Sequence, residues 1–215
     1  MVIKTRMRDS KKGITTMFGT MKSLSSIATL FFLLTISITA QADDTFSTKE
    51  QFKTPAKIPA PIIVHLTKEV GKSALASCSE HKPVELFEAE LLSLNKTAKA
   101  YLVKPARTCL CSESRCPVWL YQMKGSAAKL IWNAPATSKV EVLDKKLNGY
   151  RKISEASSDE VHGSESTWSW DRNSYTEIYK NAWHMDAEKK CRLGEETIQL
   201  MDGKMVNHTI KCTQD

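Results

Sequence analysis

"CLCSESRC", Cys109 to Cys116, is the densest group of chemistry-bearing side chains in this chain of 215 residues. Sulfur in such a cluster can ligate a metal, cycle between thiol and disulfide, or staple a fold. The spacing C-x-C-x4-C lacks the paired C-x2-C knuckles of a zinc ribbon. No C-x-x-C redox pair and no C-x-x-C-H haem attachment occurs in the chain. Thiolates at Cys109, Cys111 and Cys116 would suit Cu(I), a soft cation. Cys78, Cys191 and Cys212 bring the total to 6, and an even count in an exported chain favours structural disulfides. Cys109 and Cys111 leave the same face of a strand and are poorly aimed at each other. Cys111 and Cys116 bracket the polar turn "SESR", and Cys191 and Cys212 flank a hairpin. Cys78 is left for Cys109. The suggested pairing is therefore Cys78–Cys109, Cys111–Cys116 and Cys191–Cys212.

Export is read from the first 42 residues. Lys4, Arg6, Arg8, Lys11, Lys12 and Lys22 precede the apolar stretch Leu24 to Ala40, and "AQA" precedes Asp43 and Asp44. Basic, apolar, small-x-small is the pattern of a signal peptide cut between Ala42 and Asp43. Translation could start at Met1, Met17 or Met21. The expected location is the periplasm, with no membrane insertion after cleavage. The whole chain has 31 Lys+Arg against 24 Asp+Glu, a net +7. The leader holds 6 basic residues and 1 acidic, so the rest carries 25 and 23, a net +2. The basic balance belongs to the leader, and no clustered basic face speaks for nucleic acid.

Other catalytic spacings are missing. There is no G-x-S-x-G, H-E-x-x-H, phosphate loop or dinucleotide fingerprint. His65, His81, His162, His184 and His208 are scattered along the chain. A hydrolase reading would use His162 or His184 with Asp159 or Asp186 as neighbouring carboxylate. "WHMD", Trp183 to Asp186, with Met201 and Met205 could make a soft metal corner, or be an ordinary connection. The polar stretch "EASSDEVHGSES", Glu155 to Ser166, reads either as a solvated hairpin tip or as a binding loop. Asp159, Glu160, His162 and Ser164 are its candidate contacts. Trp119, Tyr121, Trp132, Trp168 and Trp170 sit on expected strands, where aromatic residues usually pack.

The elements that would position these groups follow from periodicity. Residues 43–61 are polar and proline-bearing and read as a flexible tether. Ile62, Leu66, Val70 and Ala74, four apart behind Pro61, predict a short helix that Gly71 weakens. From Val84 onward the apolar period becomes two. "LFEAELLSL", "KAYLVKP", "PVWLYQM", "AKLIWNA", "KVEVLD", "GYRKIS", "STWSWD" and "SYTEIYK" are each short and bounded by turn residues. "ETIQLMDGKMVNHTIKC" closes the chain, with Asp202-Gly203 as a hairpin signal. Residues 62–215 thus predict one mainly β domain, an antiparallel sandwich or open barrel of about eight to ten strands, disulfide-stapled.

"FEAELLSLNKTAKAYLV", "CLCSESRCPVWLY", "VLDKKLNGYRKI" and "STWSWDRNSY" resemble single units of the FG-GAP/VCBS type found in exported bacterial β-rich proteins. The resemblance implies export and a β scaffold, and no reaction. The turn Leu94 to Tyr101 lacks the acidic oxygens that calcium needs, and Arg172 stands where the pattern has glycine. The expectation is a non-enzymatic envelope protein without cofactor that binds a protein or glycan, one version being an inhibitor of a secreted enzyme such as lysozyme.

Overall fold

The uninterrupted apolar run from Val118 to Tyr121 sets the layering. A strand covered on one face alternates apolar and polar residues, whereas a strand covered on both faces does not. In the computed structural model Val118 and Leu120 face one hydrophobic cluster, and Trp119 and Tyr121 face a second. The sheet that carries them is the middle layer of three. The structure describes residues 43–113, 115–188, 190–199 and 203–212. The expected leader, with Ala42 of its cleavage site, lies outside the described residues.

The middle sheet has the order β2–β3–β4–β5, with β2 Phe87–Ser93, β3 Lys99–Pro105, β4 Cys116–Lys124 and β5 Ala127–Thr137. One side of it is covered by α1, Ala60–Ala76, through Ile62 and Leu66, both fully buried against Val103, Trp119 and Tyr121. Each such aliphatic side chain contributes roughly 1.5–3 kcal/mol of transfer free energy. Pro61 occupies the first turn, where its missing N–H costs nothing. Gly71, at φ 78° and ψ 160°, breaks the helical path, so α1 turns there.

The other side packs on a seven-stranded sheet. Its members are β1 Asp44–Ser47, β6 Lys139–Leu147, β7 Tyr150–Ser158, β8 His162–Asp171, β9 Ser174–Asp186, β10 Cys191–Gln199 and β11 Met205–Ile210, in the order β1–β6–β7–β8–β9–β10–β11. All the pairings in both sheets are antiparallel. Leu102, Val118, Leu120 and Trp132 meet Val140, Val142, Ile153, Trp170 and Tyr175 between the sheets. Tyr150 stacks on Trp170 at 4.3 Å, and Tyr175 meets its edge at 5.5 Å. Eleven strands and one α-helix are present among the described residues. The fold is mainly β, two antiparallel sheets with a helix and disulfide staples.

Three local outcomes differ from the reading of the sequence. The segment 43–61, read as a tether, forms β1 against β6 and buries Phe52 in the inter-sheet core. Its Ala56 N–H also donates to the Ala89 carbonyl of β2, 2.7 Å away, so the segment straps both sheets. Tight two-residue geometry sits at Asn148-Gly149, both at positive φ between the paired Leu147 and Tyr150. In the last hairpin the described pairing runs from Gly194 with Ile210 to Gln199 with Met205; Asp202, of the expected two-residue turn, lies outside the described residues. Arg172, in place of the expected glycine, adopts φ 54° in the β8–β9 turn.

The disulfides are Cys78–Cys109, Cys111–Cys116 and Cys191–Cys212, with Cα separations of 5.6, 4.3 and 5.6 Å. The first ties the end of α1 to the turn that precedes β4, across 31 positions. The second closes a loop of separation 5. On the chain-entropy relation, alanine at both Cys78 and Cys109 should cost about 3–4 kcal/mol, and at both Cys111 and Cys116 only about 2 kcal/mol. Urea unfolding of the two double variants under oxidising conditions checks the ranking.

Candidate functional site

Two polar stretches singled out in the sequence meet at one end of the molecule. The first is the loop closed by Cys111–Cys116. Ser112 and Arg115 exchange two backbone hydrogen bonds of 2.9 Å, and Glu113 takes the left-handed conformation at φ 53°. The bond from Cys111 to Cys116, which opens β4, fixes the loop on the sheet. The second is the β7–β8 connection. The sequence reading makes Glu155–Ser166 a long polar loop. The structure corrects this: β7 runs to Ser158 and β8 starts at His162, leaving only residues 159–161 between them. Serine hides these strand ends. Ser157 and Ser166 are buried although their side chains carry no hydrophobic signal.

The tip is tightly made. The Asp159 carboxylate accepts the Val161 and His162 N–H groups at 2.8 and 2.6 Å, and the Asp159 N–H donates to the His162 carbonyl at 2.8 Å. These bonds, led by the one from His162, hold the Asp159 carboxyl below the usual carboxylate range, and Arg115 across the gap adds to the effect. Between loop and tip lies an open groove of about 310 Å³, with Glu113 and Arg115 on one wall and Asp159, His162, Ser164 and Trp183 on the other. Glu160 stands exposed at the tip and does not line it.

A second groove of about 560 Å³ adjoins the first at His162 and Trp183 and continues past His184 and Leu193 to Lys211. Trp183 lies over Gly163, its neighbour on β8, where a Cβ would collide with the indole. The Arg192 guanidinium stacks 4.2 Å from the centre of the same ring. Arg192 is the site residue that sequence reasoning misses, and Trp183 enters that reasoning only as the first residue of "WHMD". "WHMD" reads as a connection, yet it ends β9. The signal for Trp183 was Gly163, whose meaning depends on a register that no local pattern supplies.

Most of the other candidates separate, His184 opposite His162 being the exception. The His162 Nδ1 lies 3.7 Å from the Asp159 carboxylate, with both side chains largely exposed. Asp186 accepts the Glu188 N–H at 3.0 Å in the β9–β10 turn. His65 hydrogen-bonds the Tyr121 hydroxyl at 2.9 Å beneath α1. Trp119, Tyr121, Trp132, Trp168 and Trp170 belong to or pack against the two cores. All six cysteine sulfurs are bonded, so Cys109, Cys111 and Cys116 present no thiolate to copper. Met205 is exposed on β11, and Met201 lies outside the described residues. The Asn95 side chain spends its oxygen on Thr97 and Ala98, at 2.9 and 2.7 Å, and thereby shapes the turn rather than offering it to a cation.

Glu155, the first residue of the polar stretch, points inward opposite Val140 and Ser166. Burial pushes its carboxyl from 4.5 up to about 7, and the Glu177 carboxylate pushes the same way. The native state therefore holds this proton more tightly than the unfolded chain. Its contribution to stability is fully present below the unfolded value and is lost as pH rises through the folded value of about 7. Wild-type unfolding free energy should fall by on the order of 1–2 kcal/mol between about pH 5 and pH 8, after allowance for solvent screening. Glu155→Gln should flatten that fall in urea titrations at both pH values.

No family model, no curated protein and no solved structure matches this chain.

Proposed function

We propose that the chain is an exported, non-enzymatic binding protein of the bacterial cell envelope, with the groove between the Cys111–Cys116 loop and the β7–β8 tip as its contact surface. The observation that carries this reading is the meeting of two pre-fixed loops, one bonded covalently and the other by three hydrogen bonds around Asp159. A surface already fixed in shape gives up little conformational entropy on binding. The disulfides suit an oxidising compartment, which agrees with the leader-like first 42 residues. The partner is a protein or glycan, and the concrete version is a basic secreted enzyme of the lysozyme kind. Exposed Glu113, Asp159 and Glu160 would steer such a partner by charge.

A hydrolase reading is favoured by one observation, the 3.7 Å approach of His162 to Asp159. General acid–base catalysis gains from a partly desolvated pair, and both side chains here are largely in water.

One assay separates the two. Purified protein is added to lysozyme acting on cell-wall material, and separately to cell-wall material alone. The binding reading expects stoichiometric inhibition that weakens by about tenfold with Asp159→Lys plus Glu160→Lys. Lysis by the protein itself, abolished by His162→Ala, would establish the hydrolase instead. Failure both to inhibit and to bind immobilised lysozyme or soluble glycan strands would overturn the binding reading.

A further inference from the structure

The two exposed histidines of the hydrolase reading are direct cross-strand neighbours. His162 on β8 stands opposite His184 on β9 in regular register. Residues opposed in this way project from the same face of the sheet. The kind of pair matters as well. The His162 N–H and carbonyl are both engaged by Asp159, on the β7 side, and the neighbouring Met185 N–H donates to the Val161 carbonyl at 2.7 Å. His162 and His184 are thus a non-hydrogen-bonded pair, the class in which opposed Cα atoms lie only about 4.5 Å apart. Both residues are exposed, so their rings can rotate toward a common point.

We propose that His162 and His184 form a two-imidazole site for a late first-row divalent cation, Cu²⁺, Ni²⁺ or Zn²⁺, at the junction of the two grooves. Imidazole nitrogen suits these ions, whereas Mg²⁺ and Ca²⁺ want several oxygens. The Asp159 carboxylate lies 3.7 Å from the His162 Nδ1, outside hydrogen-bond distance, and a small rotation of the exposed ring would bring that nitrogen to it and leave Nε2 for the metal. Leu193 lies opposite His184 on β10 and flanks the pair with an apolar side chain. Among the described residues no three His, Cys, Asp or Glu side chains converge to enclose an ion. The site is therefore open, two protein nitrogens with the remaining positions left to water or to a donor group of a bound partner. The order of affinity should follow the general sequence for nitrogen sites, with Cu²⁺ tightest.

This inference stands apart from the partner reading, because the isolated protein binds or does not bind the ion. The test uses purified protein without a histidine tag, titrated with CuCl₂, and in parallel with ZnCl₂, by calorimetry. Cu²⁺ electron paramagnetic resonance reads the ligands. The expected result is one equivalent of Cu²⁺ bound, with hyperfine structure from two imidazole nitrogens. His162→Asn and His184→Asn should each weaken binding by about tenfold or more and leave one nitrogen, while His208→Asn changes nothing. All three positions are exposed, and unfolding curves of the metal-free variants should overlay the wild type. No binding tighter than millimolar, or a loss confined to one or to neither of the two variants, overturns the proposal.

Discussion

Everything in this fold depends on two central strands that have no solvent face. β3 and β4 are buried on both sides, by α1 on one and by the seven-stranded sheet on the other. Side chains of both parities must then be apolar, which is why Leu102 and Val103, or Leu120 and Tyr121, can follow each other without a polar residue between them. The buried cations of the two sheets are paired. Lys104, almost fully buried, pairs with Glu88 on the neighbouring strand and lies over the Phe52 ring. Arg151, buried in the large sheet, reaches the Asp44 carboxylate at 2.6 Å and the Leu143 carbonyl at 3.2 Å. A buried charge without such partners would cost several kcal/mol, so the strap that supplies Phe52 and Asp44 is part of the core's electrostatics.

The same layering explains where the groove lies. The middle sheet has four strands and the outer one seven. The loop that enters β4 and the hairpin tip of β7–β8 come from different sheets and meet at one end of the sandwich. The loop is held by Cys111–Cys116 and the tip by Asp159, so the charged side chains between them rest on fixed backbone. Trp183 and the histidine pair sit on β8 and β9, and Leu193 on the neighbouring β10, so the second groove runs across three strands of the large sheet.

Much of this was legible in the residues. Period-two runs located most strands within a few positions, and the four-residue spacing from Ile62 located α1, whereas six cysteines allow fifteen pairings and turn-bracketing only suggests one of them. What stayed hidden shares a physical cause. The strap of 43–61 looks polar because its contacts are made by backbone, by Phe46, Phe52 and Ile58, and by the Thr48 hydroxyl and the Asp44 carboxylate, too irregularly spaced for any period. The ends of β7 and β8 are disguised by serines that pack by size. The proximity of His162 to His184, and of Gly163 to Trp183, is a matter of register between strands, which is set by the whole sheet and by no local pattern.

The strap has a kinetic side. Asp44 meets Arg151 across 107 positions, Thr48 meets Thr137 across 89, and Phe52 meets Glu88 across 36. Contacts this remote in sequence pay their loop-closure entropy before they return anything. Hairpins such as β6–β7 and β8–β9 close over a few residues, so they can assemble first and present a finished edge. The strap, which precedes those hairpins in the chain, would then add to that edge late, an order of assembly opposite to the order of the sequence.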